Sequence, residues 1–327
     1  MINKKSGIFL FCFILLGLIG PAYIKNQYYV HILIVIAINI LISVGLKVIM
    51  NTGLVSTCHA AFAAIGGYTS ALTVTRLHLN SWVGLVFAVL VGLIIAISFG
   101  YMLLRLKGVY FFIATTAFAE AILVIFTRFI EPFGGAAGIR SVPPPTPFGI
   151  PGLFMTSFTT KLAMFYFAFI LVLVLVLMVY RLEKGRLGEI WTGIQQAPLL
   201  AEASGINTMN YKIVAFALGS ALAAAAGAFQ CHYTNQVNPG AYGMYTIINY
   251  IVWTMVGGSN VFIGPIIGAT CLTLLAEWLS FYESLIPYQP IIYSLTLILV
   301  ILFLPDGLAS LPVKVSAWYN RKRGQNI

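Results

Sequence analysis

The sequence predicts an all-α fold: a polytopic integral membrane helix bundle of about ten transmembrane helices (eight to ten), in a single domain over residues 1–327. Two observations support this prediction. The chain is 60% hydrophobic and only 8% charged, whereas soluble domains carry about 25% charged residues. The apolar residues also fall in long runs, and about 20 of them are enough to cross the hydrocarbon core as a helix.

Ten apolar runs follow one another along the chain. Their approximate ranges are 7–24, 29–50, 54–75, 82–104, 109–130, 162–180, 213–233, 246–257, 264–283 and 289–304. Lys4 and Lys5 precede the first run, which we interpret as a retained helix, although a cleaved signal peptide also fits this pattern. The tract 213–276 contains no Asp, Glu, Lys or Arg. Only its Asn, Gly and Pro residues mark breaks there.

Basic residues concentrate on one side of this predicted arrangement. With the amino terminus in the cytoplasm, 13 of the 18 Lys and Arg residues lie on the cytoplasmic side and 5 on the other. The larger group is Lys4, Lys5, Lys47, Arg105, Lys107, Arg181, Lys184, Arg186, Lys212, Lys314, Arg321, Lys322 and Arg323; the smaller is Lys25, Arg76, Arg128, Arg140 and Lys161. By the positive-inside rule, both termini are therefore predicted to be cytoplasmic.

Two segments outside the apolar runs have their own character. Residues 131–160 are rich in Gly and Pro, which predicts an external loop too broken to cross the membrane. Residues 181–212 carry mixed charges and predict a cytoplasmic hairpin of helices. Its first helix is amphipathic, because Leu187, Ile190, Trp191 and Ile194 share one face.

The second helix of this hairpin is predicted to be only about two turns long. Pro198 suits a first helical position and Gly205 suits a helix stop. Basic residues flank the helix. We expect it to lie on a membrane surface or in a groove of a partner protein.

Two apolar stretches are interrupted by small and polar residues. The first runs from Asn51 through His59 to Ser70, and the second lies around residues 257–265. Paired interrupted helices are typical of substrate pathways in transporters. A substrate path through this region would use Ser56, His59, Tyr68, Thr115, Thr116 and Glu120.

Glu120 lies near the middle of the run 109–130, where an ionised carboxylate is costly unless it is paired or hydrated. It is the acidic residue predicted to lie deepest in the bundle. Two interpretations stay open: Glu120 lines a substrate path, or it holds helices together through a hydrogen bond. Gly219, Ala223 and Gly227, like Gly264 and Gly268, recur at helical spacing and predict close contacts between helices.

The motifs for several other functions are absent from the sequence. There is no G-x-x-x-x-G-K-[ST] loop, H-E-x-x-H, C-x-x-C or G-x-S-x-G. The four His and four Cys residues show no metal-ligand spacing, so no metal site is predicted. A net charge of +10 is spread over the ends of apolar runs, which argues against nucleic-acid binding. An enzyme is not indicated.

Six stretches in this order resemble the permease subunit of branched-chain amino acid ABC importers, of the LivM type. They are GLVSTCHAAFAAIGGYTSAL (53–72), LRLKGVYFFIATTAFAE (104–120), GGAAGI (134–139), AEASGINTMNYKIVAFALGSALAAAAGA (201–228), VGGSNVFIGPIIGA (256–269) and LFLPDGL (302–308). The resemblance covers nearly the whole chain. It implies a multi-pass protein of the bacterial inner membrane.

The resemblance also implies partners and a coupling site. The partners are a second homologous permease subunit, two cytoplasmic ABC ATPase subunits that bind ATP and Mg, and a periplasmic or extracellular solute-binding protein; this chain itself needs no cofactor. The family's docking loop matches Ala201, Glu202, Ala203 and Gly205, and Leu199 and Leu200 precede this core. Gln195, Gln196 and Ala197 stand where relatives usually carry charges, so docking is expected to depend on packing by the two leucines.

The cargo implied by the resemblance is a branched-chain amino acid or a related small polar solute. Relatives of the same class suggest urea, amides or aromatic acids as alternatives. A function of another class, a passive channel or an ion-coupled carrier, is also open. It predicts transport without ATP and dispensable cytoplasmic loops.

Overall fold

A computed structural model describes residues 21, 26–150, 154–156, 158, 160–282, 287–304 and 307–310 of the chain. The helices are α1 Gln27–Met50, α2 His59–Thr75, α3 Ser81–Leu103, α4 Val109–Arg128, α5 Ile130–Phe133, α6 Lys161–Lys184, α7 Arg186–Gln196, α8 Pro198–Ala203, α9 Thr208–Thr234, α10 Met244–Gly257, α11 Gly264–Ser280 and α12 Gln289–Phe303. The predicted all-α fold is confirmed. The predicted run 7–24 lies almost entirely outside the described residues.

Five of the described helices, α1, α3, α4, α6 and α9, are long and apolar enough to cross a membrane. Four other predicted runs correspond to helices that are shorter than these five. α2 and α11 have 17 residues each, α10 has 14 and α12 has 15. The predicted count of about ten transmembrane helices is therefore not established by helix length.

Polar side chains cap the amino-terminal ends of several helices. The side-chain oxygens of Asn26 and Asn80 each accept a 3.0 Å hydrogen bond from a backbone amide in the first turn of α1 and of α3. Thr160 and Asn207 do the same for α6 and α9. These bonds satisfy amide groups that the helix cannot pair internally, which fixes where each apolar run begins.

The core of the bundle is α9, which packs against α1, α2 and α3. Glycines permit these close contacts. A methyl group on Gly66 would lie 2.0 Å from the Ala224 carbonyl oxygen, and one on Gly227 would lie 1.9 Å from that of Ala63. On α11, Gly264 and Gly268 meet the backbone of α10 in the same way. The predicted close contacts between helices are confirmed.

The connecting segments gather at the two ends of the bundle. At one end, β1 (Ile139–Arg140) pairs with β4 (Gln236–Val237), and His232 Nδ1 lies 2.7 Å from the Pro143 carbonyl oxygen. Within the segment 131–160, the structure describes only short elements, among them β2 (Phe148–Ile150) paired with β3 (Phe154–Thr156). The segments 51–58, 104–108 and 185–207 lie at the other end, the hairpin end.

Candidate functional site

The hairpin consists of α7 and α8, as predicted. α7 starts immediately after Gly185, and a methyl group on Gly188 would lie 1.8 Å from the Glu183 carbonyl oxygen. Trp191 and Ile194 of the predicted apolar face are buried, and Trp191 Nε1 donates a 3.0 Å hydrogen bond to the Tyr211 carbonyl of α9. This face of α7 therefore binds the chain's own bundle.

α8 begins at Pro198, and Gly205 lies in the turn that ends it, as predicted. Gly205 adopts φ +82°; its amide bonds the Glu202 carbonyl at 2.9 Å, and the next amide bonds that of Ala201 at 3.1 Å. This is a Schellman-type stop, which favours glycine. Leu199 and Leu200 are 78% and 68% exposed, whereas Ala201 is buried. The helix thus presents two leucines away from the bundle.

Glu202 has a local role that the sequence did not indicate. Its side chain is exposed, yet it accepts a 2.8 Å hydrogen bond from the Thr208 hydroxyl in the first turn of α9. Lys212 interacts electrostatically with both Glu202 and Lys107. Glu202 therefore links α8 to the amino-terminal end of α9, within electrostatic reach of Lys212.

A buried ion pair joins α1 to the end of α6, next to the hairpin. Lys47 Nζ lies 2.7 Å from both carboxylate oxygens of Glu183, and the two side chains are only 3% and 11% exposed. Asn51 Nδ2 donates a 2.8 Å hydrogen bond to the same carboxylate. Lys47 also lies 5.6 Å from the centre of the Phe262 ring, in the second interrupted stretch.

Three of the predicted path residues meet around Thr57, in the first interrupted stretch. The Thr57 hydroxyl lies 2.8 Å from that of Thr115 and 2.9 Å from that of Thr116, both on α4. Ser56 is buried beside them, with its oxygen 2.9 Å from Cys58 Sγ. The segment 51–58 therefore touches α4 at one of its ends and Glu183 at the other.

The other predicted path residues are more widely spread. His59 is buried in the first turn of α2, beside the Gly45 backbone. Tyr68 is buried two turns further on, where it stacks on Phe126 at 4.1 Å between ring centres. Because Phe126 is near the far end of α4 and Thr115 near its start, Tyr68 and the Thr57 group lie at different depths.

Glu120 lies in the middle of α4, but its side chain is not inside the bundle. This differs from the prediction that it is the acidic residue deepest in the bundle. The buried face of α4 consists of Phe111, Thr115, Ala119, Leu123 and Phe126. Glu120 is exposed on the opposite side and makes no hydrogen bond within the described part of the chain. Its position along the helix could be read from the run 109–130, but the rotation of the helix could not.

No cluster of three or more His, Cys, Asp or Glu residues that could hold a metal ion occurs among the described residues.

Comparison with known proteins agrees with this architecture. Residues 28–304 match the family model described as the permease component of branched-chain amino acid transport systems. The chain is 24% identical to the LivM permease proteins of Salmonella typhimurium and Escherichia coli over 322 residues, which cover 93% of this chain and 75% of each relative.

It is also 24% identical to the LivH permease protein of Salmonella typhimurium over 284 residues, 83% of this chain and 91% of that relative. No solved structure matches the chain. The match of the family model across the described bundle is decisive for classification: the chain belongs to the family of permease components of branched-chain amino acid transport systems.

Proposed function

We propose that this chain is a permease subunit of an ABC importer in the bacterial inner membrane, and that it moves branched-chain amino acids into the cytoplasm. Similarity to both LivM and LivH permease proteins supports a pair of homologous permease subunits. The remaining proposed partners are two cytoplasmic ATPase subunits, which bind ATP and Mg, and an external solute-binding protein.

The observation that carries this proposal is the exposed helix α8 on a hairpin that packs on the bundle through α7. Leu199 and Leu200 face outward, whereas Trp191 and Ile194 of α7 are buried in the bundle. A short apolar helix held in this way suits docking into a groove of a partner. We assign Leu199, Leu200, Ala201, Glu202, Ala203 and Gly205 to the docking region for an ATPase subunit.

The substrate path is proposed to run along the outer face of α4, between the two permease subunits. Glu120 lies on this face among apolar and small residues, including Ala117 and Ala121. A charged side chain at the centre of a bilayer costs about 3 kcal/mol or more when lipid surrounds it. A second permease that covers α4 and encloses a hydrated path removes that cost.

In this mechanism the chain performs no covalent chemistry. Closure of the ATPase subunits on ATP displaces α8, and the displacement changes which side of the membrane the path opens to. Of the other predicted path residues, only Thr116 is partly exposed, next to this face. Ser56, His59, Tyr68 and Thr115 are buried, and they are proposed to support the wall of the path from inside the bundle.

The test is uptake of labelled leucine, isoleucine and valine by cells that lack the chromosomal gene for this chain and carry it on a plasmid. We expect ATP-dependent uptake, and we expect Leu199→Asp/Leu200→Asp to abolish it because two charges enter the docking face. The matched control is Thr192→Asp/Gly193→Asp, which places two charges on adjacent exposed positions of α7 and should retain uptake.

Two results would overturn the proposal. Uptake that persists after ATP depletion would indicate a channel or an ion-coupled carrier. Accumulation of urea, acetamide or benzoate, with no uptake of the three amino acids, would assign the permease to another cargo.

A further inference from the structure

We propose that the segment 51–58 is the mechanical link between the ATPase-docking hairpin and α4, and that Lys47, Asn51, Glu183 and Thr57 are its positioning residues. The inference rests on the proposed function, because it assumes that displacement of the hairpin drives transport. It goes further by naming the contacts through which that displacement reaches the path.

The hairpin side of the link is fastened by charge and by packing. Glu183 is in the last turn of α6, and its backbone is in contact with Gly188 of α7. Its carboxylate binds Lys47 with both oxygens and Asn51 with one. In addition, Gly53 packs on the last turn of α7, since a methyl group there would lie 3.5 Å from the Gln195 Cα. A displacement of α7 therefore acts directly on residues 51–53.

At its α4 end, the link is held by hydrogen bonds between hydroxyl groups. Thr57 bonds the hydroxyls of Thr115 and Thr116. Thr115 is on the buried face of α4 and Thr116 is beside it, one turn before Glu120. α4 has few other neighbours in the bundle compared with α9. Rotation or translation of residues 51–58 is thus transmitted to α4 more readily than to the densely packed core.

The ion pair is poorly explained as a simple source of stability. Two charges removed from water incur a desolvation penalty that often cancels their attraction, and neutral residues of similar size frequently replace such pairs without loss. In some proteins, buried pairs instead fix one arrangement of elements over another. Here the pair fixes the hairpin relative to the start of the link.

The test replaces the whole pair, because a single change would leave a buried charge without its partner. Lys47→Met/Glu183→Gln keeps side-chain length and removes both charges. Thr57→Val removes the hydroxyl that bonds Thr115 and Thr116 at the other end of the link, and it keeps the shape of the side chain. Matched controls are Lys184→Met/Glu189→Gln, two exposed charges near the same turn, and Thr127→Val, a threonine on α4 that bonds only its own helix in the described structure.

Two quantities are measured on the complex that co-purifies with the tagged chain: the ATPase subunit recovered and, after reconstitution in liposomes, the ATP hydrolysed per leucine transported. We expect equal recovery and at least a tenfold rise in ATP per leucine for both link variants, but not for the controls. Because the pair variant and Thr57→Val interrupt the same link, the variant that combines them should show about the same ATP per leucine as either alone. Wild-type ATP per leucine in both variants, or a loss confined to recovery, overturns the inference.

A second measurement does not depend on the cargo. In a chain with Cys12 and Cys271 replaced by serine and the buried Cys58 and Cys231 kept, Ala117→Cys places a thiol on the exposed face of α4. We expect ATP and vanadate to change its rate of reaction with maleimide at least threefold, and expect the neutral pair variant to abolish the change. If the proposed cargo is wrong, this change persists without leucine uptake. If the rate does not respond to ATP, or responds equally in the pair variant, the link is refuted.

Discussion

Glu120 is a carboxylate at the middle of a membrane-spanning helix, on a face that the rest of the described chain leaves uncovered. If it lines the path, it contacts the charged amino group of the cargo or water that hydrates it. Loss of one charge-assisted hydrogen bond costs about 1.5–3 kcal/mol, which corresponds to about tenfold or more in rate. We therefore expect Glu120→Gln to lower leucine uptake about tenfold at matched protein amount.

The control for this prediction is Ser98→Ala on α3, another exposed membrane face, where the hydroxyl bonds only to the Ile94 carbonyl in the described structure. Ser98→Ala should leave uptake unchanged. Wild-type uptake of leucine, isoleucine and valine by the Glu120→Gln complex would exclude a role in the path. Glu120 would then act only in assembly, which Glu120→Leu would impair.

Single residues show most clearly where sequence reasoning reaches its limit. The position of Glu120 along α4 could be predicted, but its side of the helix could not, because apolar residues occur on every side of the run 109–130. The sequence indicates Lys47 only as a topology signal. Its pairing with Glu183 joins residues 136 positions apart, and no local pattern reveals which helix ends become neighbours.

At the scale of helices, glycine decides how closely two backbones approach. A methyl group on Gly227 would clash with the Ala63 carbonyl at 1.9 Å, and neither backbone can move without displacing α2 from α9. Overpacking of this kind costs about 1–3 kcal/mol or more. We expect Gly227→Ala to lower the thermal midpoint of the detergent-purified protein, as measured by loss of the monodisperse size-exclusion peak.

Gly193→Ala provides the comparison, because nothing lies within 4 Å of the added methyl group on α7. Alanine is favoured over glycine inside a helix by about 1 kcal/mol, so its midpoint should stay the same or rise. Equal midpoints for the two variants would mean that the α2–α9 contact does not limit the stability of the bundle.

The stop of α8 can be tested separately from packing. Gly205 has φ +82°, and nothing lies within 4 Å of a methyl group added there, so a substitution acts through backbone strain. Left-handed backbone costs an L-residue about 1–2 kcal/mol, and a β-branched residue tolerates it least. We expect Gly205→Val to insert normally and to lose substrate-stimulated ATP hydrolysis in the assembled complex.

Gly205→Asn is the matched variant, since asparagine accepts this conformation, and it should retain most of the stimulation. Full stimulation in Gly205→Val would remove the geometry of α8 from the coupling mechanism. Helices such as α8 could be predicted closely because Pro198 and Gly205 act locally. α10 and α12 also match their predicted runs within two residues. α2 does not, because it begins at His59 whereas the predicted run begins at residue 54.

For the whole molecule, the alternation of apolar runs predicts which connecting segments share a side, and the structure groups them in this way. Lys107, Glu202 and Lys212 interact at the hairpin end, whereas Pro143 and His232 meet at the other. Which end faces the cytoplasm is a separate matter. It rests on the distribution of 13 basic residues against 5.

The orientation can be decided by labelling single cysteines with a membrane-impermeant maleimide. Pro144 is exposed at one end of the bundle and Glu189 at the other. Cys271 is exposed and is first replaced by serine together with Cys12, whereas Cys58 and Cys231 are buried and are kept. In spheroplasts we expect Pro144→Cys to react at once and Glu189→Cys only after permeabilisation, because positive residues near Glu189 are retained inside during insertion. The reverse order would place the hairpin outside the cell, out of reach of any cytoplasmic ATPase, and would overturn both the docking site and the link through residues 51–58.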